Sequence, residues 1–423
     1  MTGSQNHPRE FDAIRGGDAP PLLGAVLGGV EGVKQRFASS DVETRIGALS
    51  RALNYGDAGL DLLIKALEDD SAKVRKTAVC LLKNIDSSQV KSALKKYKFW
   101  TTFEKYYDIP NNHATTFANR KVIEFDPITG ISDTVDTAYA LRVIPEYFTK
   151  SVAMSSVDKL QVLLESPLAS QVEALVFGLW YPTSEEDYTF RPVMNALLEA
   201  HEKLTNVKAL FLGDVNKDEW KKFTLVYSNL SYLLLAYPQL EILKIRTNSY
   251  RYYYYSFGLE FSPIRHENLK AIIIEGCDIA NEIIEEIGEL ELPALEYFEL
   301  WLSKDKYIGE YNINKFITII HNIFPKLKYL GLRKYDQDYP DYIAIAIANS
   351  PICENLVELD LSMGKIEDEG ANALLNCPAV RQLDTLNISH NCLTNEMVEK
   401  MAQLNIEVIS EKQEPYRYWS AYE

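Results

Sequence analysis

From residue 172 onward, apolar positions recur in one frame: an apolar residue, two variable residues, a second apolar residue, one variable residue and a third apolar residue. The frame occurs eight times, as Val172/Leu175/Phe177, Val207/Leu210/Leu212, Leu240/Leu243/Ile245, Leu269/Ile272/Ile274, Leu295/Phe298/Leu300, Leu327/Leu330/Leu332, Leu356/Leu359/Leu361 and Leu383/Leu386/Ile388. Ile406 with Ile409 makes a partial ninth, and successive first members of the eight full sets lie 26 to 35 residues apart. The last two apolar positions of each set share one face of a strand. Between most sets the apolar spacing becomes helical: Val193, Leu197 and Leu198; Phe316, Ile319, Ile320 and Ile323; Ala371, Leu374 and Leu375; Met397, Val398 and Met401. The pattern predicts strand, turn, helix and return, about thirty residues per unit, each unit burying the apolar face of the next.

A second, all-helical pattern lies near the N-terminus. The stretch Asp41 to Leu49 is echoed by Ser71 to Val79, with Arg45 and Arg75, and Ala48 and Ala78, in equivalent positions. Ile46, Leu49 and Leu53 mark one helix and Val74, Ala78 and Leu82 its counterpart; Leu60, Leu63, Ile64 and Leu67, then Val90, Leu94 and Tyr97, mark the helices that follow. Two helices per unit, an acidic turn at Glu68-Asp69-Asp70 and the Val74-Arg75 to Ala78 pattern resemble HEAT repeats. Ala25 to Ala38, with Val26, Val30, Val33 and Phe37 on one face, is a candidate cap for that stack. Between the arrays, Lys121 to Ile131 reads as a strand, a turn at Asp126-Pro127 and a second strand; Tyr139 to Ile144 reads as another strand and Ser155 to Glu165 as a helix.

The longer array resembles ribonuclease-inhibitor-type leucine-rich repeats. Asn248, Cys277 and Asn391 match the family's turn position, where Asn or Cys is usual; Gly364, Ser303, Tyr335 and Trp180 depart from it. From Phe125 onward the order of features is similar to an uncharacterised bacterial leucine-rich-repeat family, on Phe125-Asp126-Pro127, Gly130-Ile131, Leu210 to Asp214, Glu299 to Leu302, Leu330 to Arg333, Leu359 to Gly364, Asp368 to Ala371 and Gln413 to Pro415. That resemblance implies a fold and no particular activity. The expected fold class is α/β, a leucine-rich-repeat solenoid with a parallel concave sheet and outer helices, preceded by a small α-helical HEAT-like domain. The expected boundaries are a disordered 1–24, HEAT-like repeats over 25–98, a linker and β-rich N-terminal cap over 99–170, the leucine-rich-repeat domain over 171–410, and a tail or cap over 411–423.

Charge narrows the partners. Lys plus Arg is 44 and Asp plus Glu 60, a net charge of −16, and no basic run is longer than two residues, so nucleic acid is not expected. The five cysteines are odd in number, dispersed and never spaced as Cys-x-x-Cys, which fits a reducing cytoplasm better than a disulfide framework or a zinc site. No secretory pattern or membrane-length apolar run is visible, so a soluble cytoplasmic protein with no membrane partner is expected.

Alternation puts the residues between the apolar ladder positions on the concave face. That face reads small and apolar at its start (Ala174, Val176, Ala209, Phe211). It is aromatic and charged in the middle (Lys244, Arg246, Tyr297, Glu299, Trp301, Tyr329, Arg333), and acidic or hydroxyl-bearing at the end (Glu358, Asp360, Ser362, Thr385). Trp, Tyr and Arg dominate interface energetics, so Arg246, Tyr297, Trp301, Tyr329 and Arg333 are the expected anchors for a protein partner, with Lys244, Glu299, Glu358 and Asp360 around them. The alternative is that the aromatics only cover neighbouring strands. Tyr252, Tyr253, Tyr254 and Tyr255 form a possible second contact or a packing insert. Glu358 and Asp360 are expected to be solvated. No phosphate loop, zinc helix or nucleophile elbow occurs, and the six histidines are dispersed, so no catalytic residue, metal or cofactor is expected. The reading is a non-catalytic scaffold for an unidentified protein. The alternative is a HEAT-type lyase or a regulatory subunit of an enzyme complex, since some bacterial proteins with such repeats are lyases acting on chromophore–protein bonds.

Overall fold

The computed structural model describes residues 29–69, 71–101, 103–143, 154–180, 190–220, 228–248, 259–277, 285–302, 313–333 and 341–414. Tyr252 to Tyr255, the segment 1–24 and the aromatic end of the 411–423 tail lie outside these residues. The chain divides into two compact units, Met1–Thr102 and Phe103–Glu423.

In the first unit, helices α1 (Gly29–Phe37), α2 (Val42–Ala52), α3 (Gly56–Lys65), α4 (Ala72–Leu82) and α5 (Ser88–Lys96) surround a core that includes Val33, Leu49, Leu63, Leu67, Val74, Ala78, Leu82 and Val90. Asp41 caps α2 by accepting the Thr44 amide at 2.8 Å, satisfying one of the donors every helix start leaves open. The buried stripe of α2 is Arg45, Ala48, Leu49 and Ala52, so Ala52 fills the place expected of Leu53. Leu53 begins a 3₁₀ turn, Leu53–Tyr55, that swings it off the stripe, and it is 46% exposed. The equivalent arginines converge on one turn: Arg45 pairs with the Asp69 carboxylate at 3.0 Å and Arg75 donates to the Asp69 carbonyl. Gly59 lets α3 lie against α2, because a Cβ there would sit 1.8 Å from the Ala52 carbonyl oxygen.

The second unit is built on a 12-stranded sheet. Its strands, with two short ones outside it, are β1 (Thr116–Phe117), β2 (Arg120–Glu124), β3 (Thr137–Leu141), β4 (Ala174–Phe177), β5 (Ala209–Leu212), β6 (Ser228–Asn229), β7 (Ile242–Asn248), β8 (Leu259–Glu260), β9 (Ala271–Cys277), β10 (Tyr297–Trp301), β11 (Tyr329–Arg333), β12 (Glu358–Asp360), β13 (Thr385–Asn387) and β14 (Glu407–Ile409). The order is β1-β2-β3-β4-β5-β7-β9-β10-β11-β12-β13-β14, with β6 and β8 pairing separately. Only β1 with β2 is antiparallel; every other pair is parallel, as helical or looped returns require. Every residue of the eight apolar triplets joins one continuous core beneath the sheet. Helices Ser156–Glu165, Arg191–Ala200, Ile313–Ile323, Tyr342–Ala348, Asp368–Asn376 and Asn395–Met401 close the other side. The result is a mixed α/β repeat solenoid.

Local differences from the sequence reading have physical causes. Ile128 to Ile131 is a turn, with Gly130 at φ 66, and not a second strand. Besides β1, β2 pairs with β3, which joins in parallel, so both are rungs of the main sheet. In Ile313–Ile323 the buried stripe is Phe316, Ile317 and Ile320, leaving Ile319 on its flank. At the last rung, Val408 pairs with Leu386 and packs on the core while Ile409 pairs with Asn387, so the partial ninth frame is displaced by one residue. A period of two from Ile406 selects Val408, and Ile409 then faces the concave side. Asn391 is buried at the turn and donates to the Leu361 and Ile388 carbonyls, both at 3.0 Å, while its oxygen accepts the Ile366 amide at 3.0 Å.

A concave face with a strap of its own chain

Parallel register assembles the concave face. Lys244 and Arg246 on β7 lie opposite Ile273 and Glu275 on β9; Tyr297, Glu299 and Trp301 on β10 lie opposite Tyr329, Gly331 and Arg333 on β11; Tyr329 and Gly331 in turn face Glu358 and Asp360 on β12. The nine residues expected at the face are therefore contiguous, yet none exposes more than 8% of its surface. Glu358 and Asp360, expected to be solvated, are buried, because the face carries its own cover.

The cover is the stretch Phe103–His113, here called the strap, which enters β1. The Phe103 ring meets Tyr297 edge-on at 5.4 Å. Lys105 Nζ lies 2.9 Å from Glu358 Oε1, 3.6 Å from Asp360 Oδ2 and 4.7 Å above the Tyr329 ring. Burial pushes the Lys105 ammonium pKa down, but Asp360 and Glu358 outweigh it and hold the pKa above its ordinary value. The Tyr106 ring receives the Lys244 ammonium and the Arg246 guanidinium on its face, at 5.3 and 5.0 Å, and its carbonyl accepts from Arg333 Nη2 at 2.6 Å. Tyr107 stacks on His390 at 4.5 Å and lies under the Arg333 guanidinium at 5.4 Å. Ile109 packs with Trp301 and Met363. Farther along, His113 reaches Glu219 at 2.8 Å, the Ala114 amide donates to Asp214 at 3.1 Å, and Phe117 rests against Phe211.

The floor beneath the strap is a connected polar layer. Glu299 accepts from Tyr297 Oη at 2.5 Å, Trp301 Nε1 at 2.9 Å and Arg333 Nη1 at 2.8 Å. Burial pushes its carboxyl up, but the Arg333 charge and the bonds from Tyr297 and Trp301 prevail and hold it at about 2. Glu275 joins Lys244 and Arg246, each at 2.7 Å, and these charges outweigh burial to keep it below the usual carboxylate range. Tyr329 donates to Asp360 at 3.1 Å and stacks on Tyr297 with ring centroids 3.9 Å apart. Gly331 makes that stack possible, since a Cβ would lie 2.9 Å from Tyr329 Cε1 and 3.1 Å from Glu299 Cγ.

Sequence reasoning located the floor and missed its cover. Phe103, Lys105, Tyr106, Tyr107 and Ile109 follow neither a strand nor a helix period; their one signal is aromatic bulk in a segment otherwise reading as a linker. The Glu275 and Glu299 carboxyls are held below the ordinary range by adjacent cations, and the cavity between strap and floor, lined in part by Glu104, Lys244, Glu275 and Glu299, is about 20 Å³, room for one water. Among the described residues no cluster of three or more His, Cys, Asp or Glu is placed to hold a metal, and no helix is long and apolar enough to cross a membrane.

Residues 353–375, the stretch running through β12 into the helix Asp368–Asn376, match the family model described as leucine-rich repeat. Among solved structures the chain is similar to a Bacteroides fragilis protein determined as a structural-genomics target, with 23% identity, a TM-score of 0.54, and coverage of 65% of this chain and 75% of that one. Comparison with curated proteins finds no match. The matched repeat lies within the second unit, and the likeness to the solved structure is one of fold.

Proposed function

We propose that this chain is a non-catalytic protein-binding scaffold whose concave face receives an extended stretch of polypeptide. One observation carries the reading: the face already holds such a stretch, gripped through cation–π contacts, a lysine ion pair and an apolar anchor on Trp301. Those are the contacts that anchor protein interfaces. Arg246, Lys244, Tyr297, Glu299, Trp301, Tyr329, Arg333, Glu358 and Asp360 form the site in this reading. Leucine-rich-repeat domains generally mediate protein–protein interaction, which supports the same conclusion. The helical first unit, read as HEAT-like, supplies a separate surface in a soluble cytoplasmic bacterial protein.

Affinity purification tests this. The full chain recovers a specific protein, and the double variant Trp301→Ala/Arg333→Glu, checked for retained helical and sheet content, does not. Equal recovery by both removes the concave face as the site.

A further inference from the structure

We infer that the strap, through its residues Phe103–Ile109, is a built-in competitor for the concave face, and that the partner displacing it presents an extended segment of matching chemistry. That segment has an aromatic residue, a lysine two positions later, aromatic residues at the next two positions, and an aliphatic residue six positions after the first. The inference rests on reading the face as a protein-binding site, and adds who occupies it and how it is regulated.

The strap is bound as a ligand is bound. It forms no ladder with the sheet before β1; its backbone is tied by the Tyr106 carbonyl to Arg333 and the Pro110 carbonyl to the Lys217 amide. Phe103 to Tyr107 are half-buried, whereas Tyr297, Trp301, Tyr329 and Arg333 below them are buried almost completely. The floor supports its own charges: Glu275 with Lys244 and Arg246, Glu299 with Arg333, and Asp360 with Arg333, Tyr329 and Asn387. These pairs, made within the floor, hold its shape when its occupant is exchanged.

The contacts define the occupant. The acidic end of the face, Glu358 and Asp360, with the Tyr329 ring, takes a cation; the Tyr297 ring, the cations of Lys244 and Arg246, and His390 with Arg333 take aromatic rings; Trp301 and Met363 take an aliphatic side chain. The strap begins where the first compact unit ends.

The test uses the full chain and a fluorescein-labelled synthetic peptide with the sequence of residues 103–113. Lys105→Glu sets a third negative charge beside Glu358 and Asp360 and expels the strap, raising hydrogen exchange across residues 103–113 while β9 to β12 stay protected. By fluorescence anisotropy the peptide then binds this variant at least tenfold more tightly than it binds wild type. A peptide with glutamate in place of its lysine binds neither. Equal affinity for wild type and variant, or equal binding of the glutamate peptide, overturns the inference. A wild-type dimer that the peptide cannot dissociate overturns it too, because a second copy is then the occupant. In affinity purification, a protein recovered equally by wild type and Lys105→Glu sinks the competitor while leaving the scaffold; no specific protein recovered by either sinks the scaffold reading itself.

Discussion

Glu299 is the hub of the floor, and its replacement by glutamine gives a quantitative test of that layer. The carboxylate accepts three donors, from Tyr297, Trp301 and Arg333. A glutamine amide keeps one acceptor oxygen and turns an NH₂ toward the others, leaving Arg333 short of a counter-charge in a buried site. Breaking a buried charge pair from one side costs about 3–5 kcal/mol. The acid–base argument arrives independently at a similar size. A carboxyl held at about 2, against 4.5 ordinarily, stabilises the folded chain by about 3 kcal/mol at neutral pH. Because the folded value is depressed, that contribution is complete above about pH 5 and is lost as pH falls toward 2. Urea unfolding of wild type and Glu299→Gln, followed by tryptophan fluorescence at pH 7 and pH 3, should show a gap of about 3 kcal/mol that narrows by about 2 kcal/mol at the lower pH. A gap below about 1 kcal/mol at pH 7, or one independent of pH, would refute the account of the floor.

Other substitutions test separate parts of the fold. Gly59→Ala drives a Cβ into the Ala52 carbonyl and should lower the melting transition of the helical unit alone, by several degrees, in differential scanning calorimetry. Asn391→Ala leaves the Leu361 and Ile388 carbonyls and the Ile366 amide without their buried partner; a loss of about 2–3 kcal/mol in chemical denaturation is expected, and no loss would mean the turn does not depend on it. The register of the last rung is checked by paired charges: Val408→Asp should destabilise the chain more than Ile409→Asp, and the reverse order would restore the frame read from Ile406 and Ile409.

The ladder was legible because its signal repeats: eight copies of one apolar frame average out the ambiguity of any one strand. The same redundancy made the face legible, since once Leu330 and Leu332 point inward, Tyr329, Gly331 and Arg333 must point outward. Single-copy features were harder. β2 and β3 lie outside the repeated frame, so the parallel pairing of β2 with β3 and of β3 with β4 left no trace in local spacing. The last rung carried too few residues to distinguish a step of two from a step of three after Ile406. The strap was hidden for a deeper reason: its conformation is set by side chains more than one hundred positions away, and no local pattern records such contacts. Burial of Glu358 and Asp360 was missed with it, since their neighbour Lys105 belongs to that segment.

Those separations also set an order of events during synthesis. Lys105 meets Glu358 across 253 positions, and Tyr107 meets Asn387 across 280. A stacked repeat closes onto its neighbour as soon as about thirty more residues have emerged. The strap leaves the ribosome before any of its floor exists and waits, at ordinary elongation rates of about 5–20 residues per second, for roughly 15 to 60 seconds. Throughout that interval Phe103, Tyr106, Tyr107 and Ile109 lack the floor that will bury them, so the nascent chain passes through a period in which its concave face is under construction and still uncovered.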